Sequence, residues 1–417
     1  MTVGAAYFRI ELPVGGRTFA FSENSFNVMA GIPNFPEPRN RATEPDTQDS
    51  TYVGESGNDH AIPGSEKNVL PPGGRAFLDL LLRYQILTPG TVHDFLEQAP
   101  SPLHTYSDGE VLGADLVRLN HLTGYQLSRV LSGKTHGLVL GNHRILDRLG
   151  SGSMGEVYMA EHLFMKRKVA IKVLPVDEDC PGRVLERFYS EMQVLATLHH
   201  PHIVMAFDAG RVSPPHPGMP DMLYLAMELV PGGDLDQYVV DHGPVAVGQA
   251  CEWMRQAAYG LQEAHDHQLI HRDIKPSNLL LTSQNQVKLV DFGLARQFSS
   301  RLTDPNALLG TVEFMSPEQS RDPSFVGSHA DIYGLGATLF FLLTGEPPYP
   351  EVRSLSEALR MLQESRPRRL RQLRPDVPPE LDVLIDRMLD PDPPRRPALP
   401  LTVMNALLPF ANQAAMA

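Results

Sequence analysis

Cysteine is nearly missing: Cys180 and Cys251 are the two in 417 residues. Thiols so few and so far apart make neither a disulfide framework nor a metal-ligand spacing, so a reducing cytosol is the natural setting and both are expected to be inert. Positive charge is also scarce. With 36 Lys and Arg against 49 Asp and Glu, the net charge of -13 argues against general affinity for nucleic acid or anionic lipid, which requires a basic surface. One basic run stands out, Arg366, Arg368, Arg369, Arg371 and Arg374, and it reads as a solvated helix-loop face rather than a binding patch. Long hydrophobic runs are missing too. Ile332 to Leu343, the most apolar stretch, falls well short of the ~20 residues of a membrane span, and Gly345 follows it as a helix stop, so a buried helix is expected. Arg9 and Glu11 interrupt the first apolar residues, so no secretory leader is expected. The chain thus reads as soluble and cytoplasmic, without a membrane span or a nucleic-acid partner.

The length exceeds one ordinary domain, and the 42% hydrophobic content can fill a two-lobed core with something in front of it. Residues 1–75 are expected to be mostly disordered or linker. From Ile32 to about Gly74 the chain is rich in Pro, Asn, Gly, Glu and Asp, and such a segment buries too little to offset its ordering entropy. Residues 76–135 read as a helical repeat module. With an offset of 35, Leu81, Leu82, Arg83, Leu87, Thr88, Val92 and Leu96 match Leu116, Val117, Arg118, Leu122, Thr123, Leu127 and Leu131. Each copy reads as two short helices, with Thr88 and Thr123 as N-caps and Pro89 at a first helical position. A docking module with a partner for residues 77–131 and a plain structural prefix both stay open.

The chemistry begins at Gly150-Ser151-Gly152-Ser153-Met154-Gly155. Alone, this spacing also suits a dinucleotide-binding fold, but there a helix must start on the glycines. Here Glu156 to His162 and Lys168 to Leu174 read as two strands. The glycines therefore join strands, where a backbone without Cβ atoms can lie close over nucleotide phosphates. Lys172 stands in the apolar strand Val169-Ala170-Ile171-Lys172. A lone strand lysine usually faces solvent; here Glu191, beside the helical stripe Leu185, Phe188, Met192 and Leu195, could reach it as an ion pair.

Next come His271-Arg272-Asp273-Ile274-Lys275-Pro276-Ser277-Asn278, then Asp291-Phe292-Gly293, then Gly310-Thr311-Val312-Glu313-Phe314-Met315-Ser316-Pro317-Glu318. In this order and spacing the sequence resembles the protein kinase superfamily, specifically the bacterial eukaryotic-like serine/threonine kinases. The resemblance covers residues 143–410. It implies an α+β bilobal protein kinase fold, with a small β-rich N-lobe carrying one helix and a larger helical C-lobe, preceded by the small helical module. It further implies transfer of the ATP γ-phosphoryl group to Ser or Thr hydroxyls of protein substrates, with Mg²⁺ held by Asn278 and Asp291. Asp273 would accept or orient the hydroxyl proton, Lys172 paired with Glu191 would hold the α and β phosphates, and Lys275 would sit beside the γ-phosphate with Thr311. Gly150, Gly152, Ser153 and Gly155 would cover the phosphates. Leu149, Val157, Ala170 and Leu280 would sandwich adenine, Met227 would be the gatekeeper, Glu228 and Val230 would offer hinge backbone groups, and Asp234 would lie near the ribose.

By the same resemblance Asp331 would hold the catalytic-loop backbone, and Glu318 with Arg396 would form a buried ion pair. His199, His200 and His202 cluster like metal ligands but are expected to form a turn. Three positions depart from the family pattern: Ser316 replaces an alanine, which should be harmless, and Ser277 and Phe341 stand where arginine-directed kinases carry acids, which puts selection of basic substrates in doubt. Control is expected through transient self-association and autophosphorylation among Ser299, Ser300 and Thr303, with Thr303 preferred and Arg272 and Arg296 receiving the phosphate. A pseudokinase scaffold and a small-molecule phosphotransferase are the competing readings. The first is countered by the presence of Lys172, Glu191, Asp273, Asn278 and Asp291, the second by the peptide-shelf segment Gly310 to Glu318.

Overall fold

The computed structural model describes residues 7–11, 18–22, 69–152, 155–176, 182–213, 221–292, 312–322, 326–350, 352 and 354–411. It divides into two compact units, Met1–Val139 and Leu140–Ala417.

In the first unit, β1 (Tyr7–Glu11) and β2 (Thr18–Ser22) pair antiparallel, inside the stretch expected to be mostly linker. The helical repeat comprises α1 (Pro72–Arg83), α2 (Pro89–Gln98), α3 (Gly109–Arg118) and α4 (Gly124–Leu131). The 35-residue offset is visible in the backbone itself. Gln85 and Asn120 both take left-handed φ, 55° and 59°, and the next residues, Ile86 and His121, each donate back to Leu81 O and Leu116 O at 2.9 Å. Thr88 caps α2 by accepting from Thr91 N, and Thr123 closes a capping box with Gln126. Leu81 and Leu116 are both fully buried at the centre of the repeat. The copies differ at their ends, where Leu96 is buried and its counterpart Leu131 is exposed.

The second unit opens with an antiparallel sheet. Its strands β4 (His143–Gly152), β5 (Gly155–His162), β6 (Lys168–Val176), β8 (Asp221–Met227) and β7 (Ala206–Val212) are neighbours in that order, numbered after a two-residue β3, Val139–Leu140. One helix, α5 (Gly182–Thr197), belongs to this lobe and buries Phe188, Met192 and Leu195. The rest is mainly helical. After α6 (Leu235–His242), the long α7 (Val247–Asp266) buries Trp253, Met254, Ala257 and Leu261. A short hairpin of β9 (Leu279–Leu281) and β10 (Val287–Leu289) follows. Beyond α8 (Pro317–Arg321), α9 (His329–Thr344) carries the apolar run, and Ile332 to Leu343 are all buried. Gly345 ends it with φ 77°, the left-handed stop its sequence announced. The chain finishes with α10 (Leu355–Glu364), α11 (Leu370–Leu373), α12 (Pro379–Met388) and α13 (Pro400–Ala411), the last packed on α7. Among the described residues no helix is long and apolar enough to cross a membrane.

The basic run is less solvated than expected. Arg368 pairs with Glu346 and donates to Pro347 O, Arg374 pairs with Asp376 and donates to Leu343 O, and Arg369 pairs with Asp386. Arg368 and Arg374 are half-buried and tie loop carbonyls in place. Cys251 is buried in the core, which pushes its thiol up to about 12 and keeps it inert.

Candidate active site

The glycine run does join two strands. Gly150 faces Val157 and Gly152 faces Gly155 across the β4–β5 ladder. Gly155 must be glycine: its φ is +145°, and a Cβ would stand 2.1 Å from Val173 O. On the next strand, Lys172 is 3% exposed, and its Nζ lies 2.8 Å from Asp291 Oδ2. A buried ammonium needs such a partner. Glu191 is half-buried on α5.

Below this strand an apolar slot gathers four of the residues read as adenine or gatekeeper contacts, with Val230 of the hinge beside them. Ala170 and Met227, cross-strand neighbours, are buried with Val204, and Val157, Val230, Leu280, Leu229 and Val290 pack against them. Leu149 departs from this set, being 51% exposed. At the hinge, Glu228 N donates to Met205 O at 2.9 Å and its carboxylate pairs with Lys288, so its carbonyl is the backbone group it can offer a base. Asp234 caps α6 through Gln237 N at 2.8 Å and bridges to Leu280, which fixes the start of α6 beside the slot.

The catalytic loop is held from beneath by a single carboxylate. Asp331, fully buried in the first turn of α9, accepts from Arg272 N at 2.6 Å, from His271 N at 2.9 Å and from His265 Nε2 at 2.8 Å. Arg272 sits at φ 66° and Asp291 at φ 65°, conformations that cost non-glycine residues roughly 1–3 kcal/mol and persist only when over-determined by contacts. His271 is fully buried, and desolvation lowers its pKa. Its Nε2 then donates to Val290 O at 3.0 Å, and its ring packs against Phe292 with centroids 4.6 Å apart. Above this base, Lys275 Nζ is 3.0 Å from Asp273 Oδ2, and Asn278 Nδ2 donates to Asp273 O at 2.7 Å and to Oδ2 at 3.0 Å. The loop therefore presents Asp273, Lys275 and Asn278 as one bonded group.

Two supports come from further along. Arg396, with no side-chain exposure, binds Glu318 through two contacts of 2.6 and 2.8 Å and also donates to His329 O and Asp390 O. Burial is the largest single effect on the Glu318 pKa and raises it, but the hydrogen bond and charge of Arg396, with smaller hydrogen bonds, together outweigh it and hold the carboxyl below its ordinary value. Ser316 has a use beyond small size. Its hydroxyl donates to Gln319 Oε1 at 3.0 Å, and Gln319 Nε2 donates to Arg272 O at 2.8 Å, so α8 grips the catalytic loop. The His199–His202 segment forms a turn in which His202 Nδ1 bonds Val287 O at 2.9 Å.

Sequence reasoning missed Val204, Leu229 and Val290 in the slot. Val290 had a signal, since it precedes Asp291 directly. Ser153, Gly293, Arg296, Ser299, Ser300, Thr303 and Thr311 lie outside the described residues.

The donor set suits a hard divalent cation. With its amide nitrogen turned to Asp273, Asn278 has its Oδ1 for coordination, and Asp291 adds a carboxylate; Mg²⁺ takes one or two such oxygens plus substrate phosphates. The second unit thus sets a turn of glycines between two strands, an apolar slot and a buried lysine paired with an aspartate beside a carboxylate loop. Residues 143–407 match the protein kinase domain family. The chain belongs to the protein kinase family. Among curated relatives it is 37% identical over 256 residues to the serine/threonine-protein kinase PrkC of Bacillus subtilis, covering 61% of this chain and 38% of that one. It is also 37% identical over 251 residues to the serine/threonine-protein kinase PknB of Mycolicibacterium smegmatis, covering 60% and 39%. This chain thus spans about two fifths of the length of these relatives. The crystallised kinase domain of Mycobacterium tuberculosis PknI superposes with a TM-score of 0.52 at 28% identity, over 66% of this chain and 98% of that one.

Proposed function

We propose that residues 143–410 transfer the γ-phosphoryl group of ATP to Ser or Thr hydroxyls of proteins. The observation that carries this is the bonded triad of Asp273, Lys275 and Asn278, facing the buried Lys172–Asp291 pair. Phosphoryl transfer has a loose transition state with charge spread over phosphate oxygens, so positioning and charge neutralisation are the work to be done. The slot of Val157, Ala170, Met227, Val230 and Leu280 takes adenine, with the Glu228 carbonyl and Val230 backbone on its edge and Leu149 at its mouth. Asp234 lies near the ribose, and Gly150, Gly152, Ser153 and Gly155 cover the phosphates. Lys172, steadied by Glu191, binds the α and β phosphates.

Mg²⁺, when bound by Asn278 and Asp291, offsets phosphate charge. Asp273 takes or orients the proton of the acceptor hydroxyl, while Lys275 donates to the γ-phosphate with Thr311 alongside. The Lys275 ammonium carries three donors, so it keeps its contact with Asp273 while it donates to the γ-phosphate. Control through Thr303 fits one further feature: Arg272 Nε is buried with no hydrogen-bond partner among the described residues, a site that a phosphate would satisfy.

Phosphoamino-acid analysis of a generic protein acceptor after incubation with Mg²⁺ and ATP tests the reading. Phosphoserine or phosphothreonine is expected; phosphotyrosine alone would refute the acceptor class.

A further inference from the structure

The turn joining β5 to β6 carries Leu163-Phe164-Met165-Lys166-Arg167, and it leaves Phe164 79% and Met165 71% exposed. Exposed aliphatics elsewhere, such as Val240 and Val383, stand singly on helices. Single exposed hydrophobics are ordinary, whereas two large neighbours on one hairpin tip point to something that covers them.

The tip is firmly built. Lys166 N donates to His162 O and His162 N to Arg167 O, both at 2.9 Å, and Leu163 N donates to Asn142 O at 2.8 Å. Met165 N donates to His162 Nδ1 at 3.1 Å, and Lys166 takes a left-handed φ of 54°. These bonds fix the turn with both apolar side chains in solvent. Charge completes the pattern, because Lys166, Arg167 and Lys168 are consecutive and exposed. Nearby, Arg144 and Lys166 share the Glu161 carboxylate at 2.8 and 3.7 Å, Arg167 lies over the Phe207 ring at 3.6 Å, and Asp208 follows on β7. Four cations against two carboxylates make this end locally positive in a chain of net charge -13.

We propose that this hairpin tip is a reversible contact for an anionic lipid surface, with Phe164 and Met165 entering the interface and Lys166, Arg167 and Lys168 meeting headgroup phosphates. A convex apolar point bordered by basic side chains suits a deformable apolar layer beneath a negative surface. So small a contact orients the kinase rather than anchoring it, since even one acyl chain binds membranes only marginally.

The sequence supplies a clean probe site, because its single tryptophan, Trp253, is 1% exposed. In the 417-residue chain carrying Phe164→Trp, whose activity on a soluble acceptor should be unchanged, emission should shift to the blue on adding phosphatidylserine–phosphatidylcholine vesicles. No shift is expected with phosphatidylcholine alone. Adding Lys166→Gln and Lys168→Gln should weaken partitioning roughly 30-fold, at about fivefold per basic residue near an anionic surface. Four results would overturn the proposal: no shift with anionic vesicles, an equal shift with neutral ones, an affinity indifferent to the two lysines, or a concentration-dependent shift without lipid. The last would assign the tip to self-association, and the first would leave it to a protein partner.

Discussion

Asp331→Asn is the substitution that most directly probes how the fold holds the catalytic loop. The amide keeps the shape of the carboxylate but turns one acceptor into a donor. If the nitrogen takes the Oδ1 place, it faces Arg272 N, which had donated at 2.6 Å; in the Oδ2 place it faces both His271 N and His265 Nε2. Either way at least one charge-assisted bond is lost, at about 1.5–3 kcal/mol, and at least one buried N–H is orphaned, at about 1–3 kcal/mol. We therefore expect roughly 3–5 kcal/mol of lost stability, or a fall in Tm of about 6–20 °C for a unit of this size. Activity should suffer more than stability implies. The left-handed Arg272 is retained by the bond being removed, and a displacement of about 1 Å at the following Asp273 is worth roughly 100-fold in turnover. Thermal unfolding, nucleotide binding and steady-state phosphorylation would be measured together, below the new Tm. Turnover falling about 100-fold with ATP affinity nearly retained is expected, because the apolar slot around Ala170, Val204 and Met227 does not include Asp331. Turnover within about threefold of wild type and a Tm within about a degree would refute the argument.

Two further outcomes follow from the geometry. Gly155→Ala should raise the KM for ATP and lower the Tm, since its Cβ would meet Val173 O at 2.1 Å with φ at +145°; unchanged values in steady-state kinetics and calorimetry would count against the tight β4–β5 turn. Stability should also depend on pH through the buried histidines. His271, His143, His200 and His202 all have pKa values lowered chiefly by burial, so below about pH 6.5 the unfolded chain binds more protons than the folded one. Stability should hold above that pH and fall as the pH drops from it toward the lowered folded values, by up to about 1.4 kcal/mol per unit for His271 alone. Urea denaturation at a series of pH values between about 7.5 and 5 checks this, and stability that rises on acidification contradicts it.

What the sequence disclosed follows a physical line. The grouping of Asp273, Lys275 and Asn278 was legible because the three stand within six residues of one another in one short loop. The capped repeat was legible because Thr88 and Thr123 sit at the offset where a helix must start. Val204 and Leu229 were not, because an apolar residue in a strand or hinge looks the same whether it lines a slot or fills a core. The pairing of Arg368 and Arg369 with Glu346 and Asp386 was hidden for a related reason: the partners lie 22 and 17 residues away and share no period with them. Exposure of Leu149 was likewise unreadable, since it depends on two register shifts in β4, Ile145/Asp147 and Arg148/Gly150. The use of Ser316 emerged only with Gln319 in view, where a substitution read as neutral becomes part of the grip on Arg272.

Asp273, held by Lys275 and Asn278, is the group proposed to act on the substrate hydroxyl. Transfer of labelled phosphate from Mg²⁺-ATP to a Ser/Thr protein acceptor, measured for wild type and Asp273→Asn at equal folded concentration, tests it directly. Robust incorporation by the wild type is expected, with a fall of about 10²–10⁴-fold in the variant, the usual worth of a positioned general base. Equal incorporation by the two proteins would contradict it.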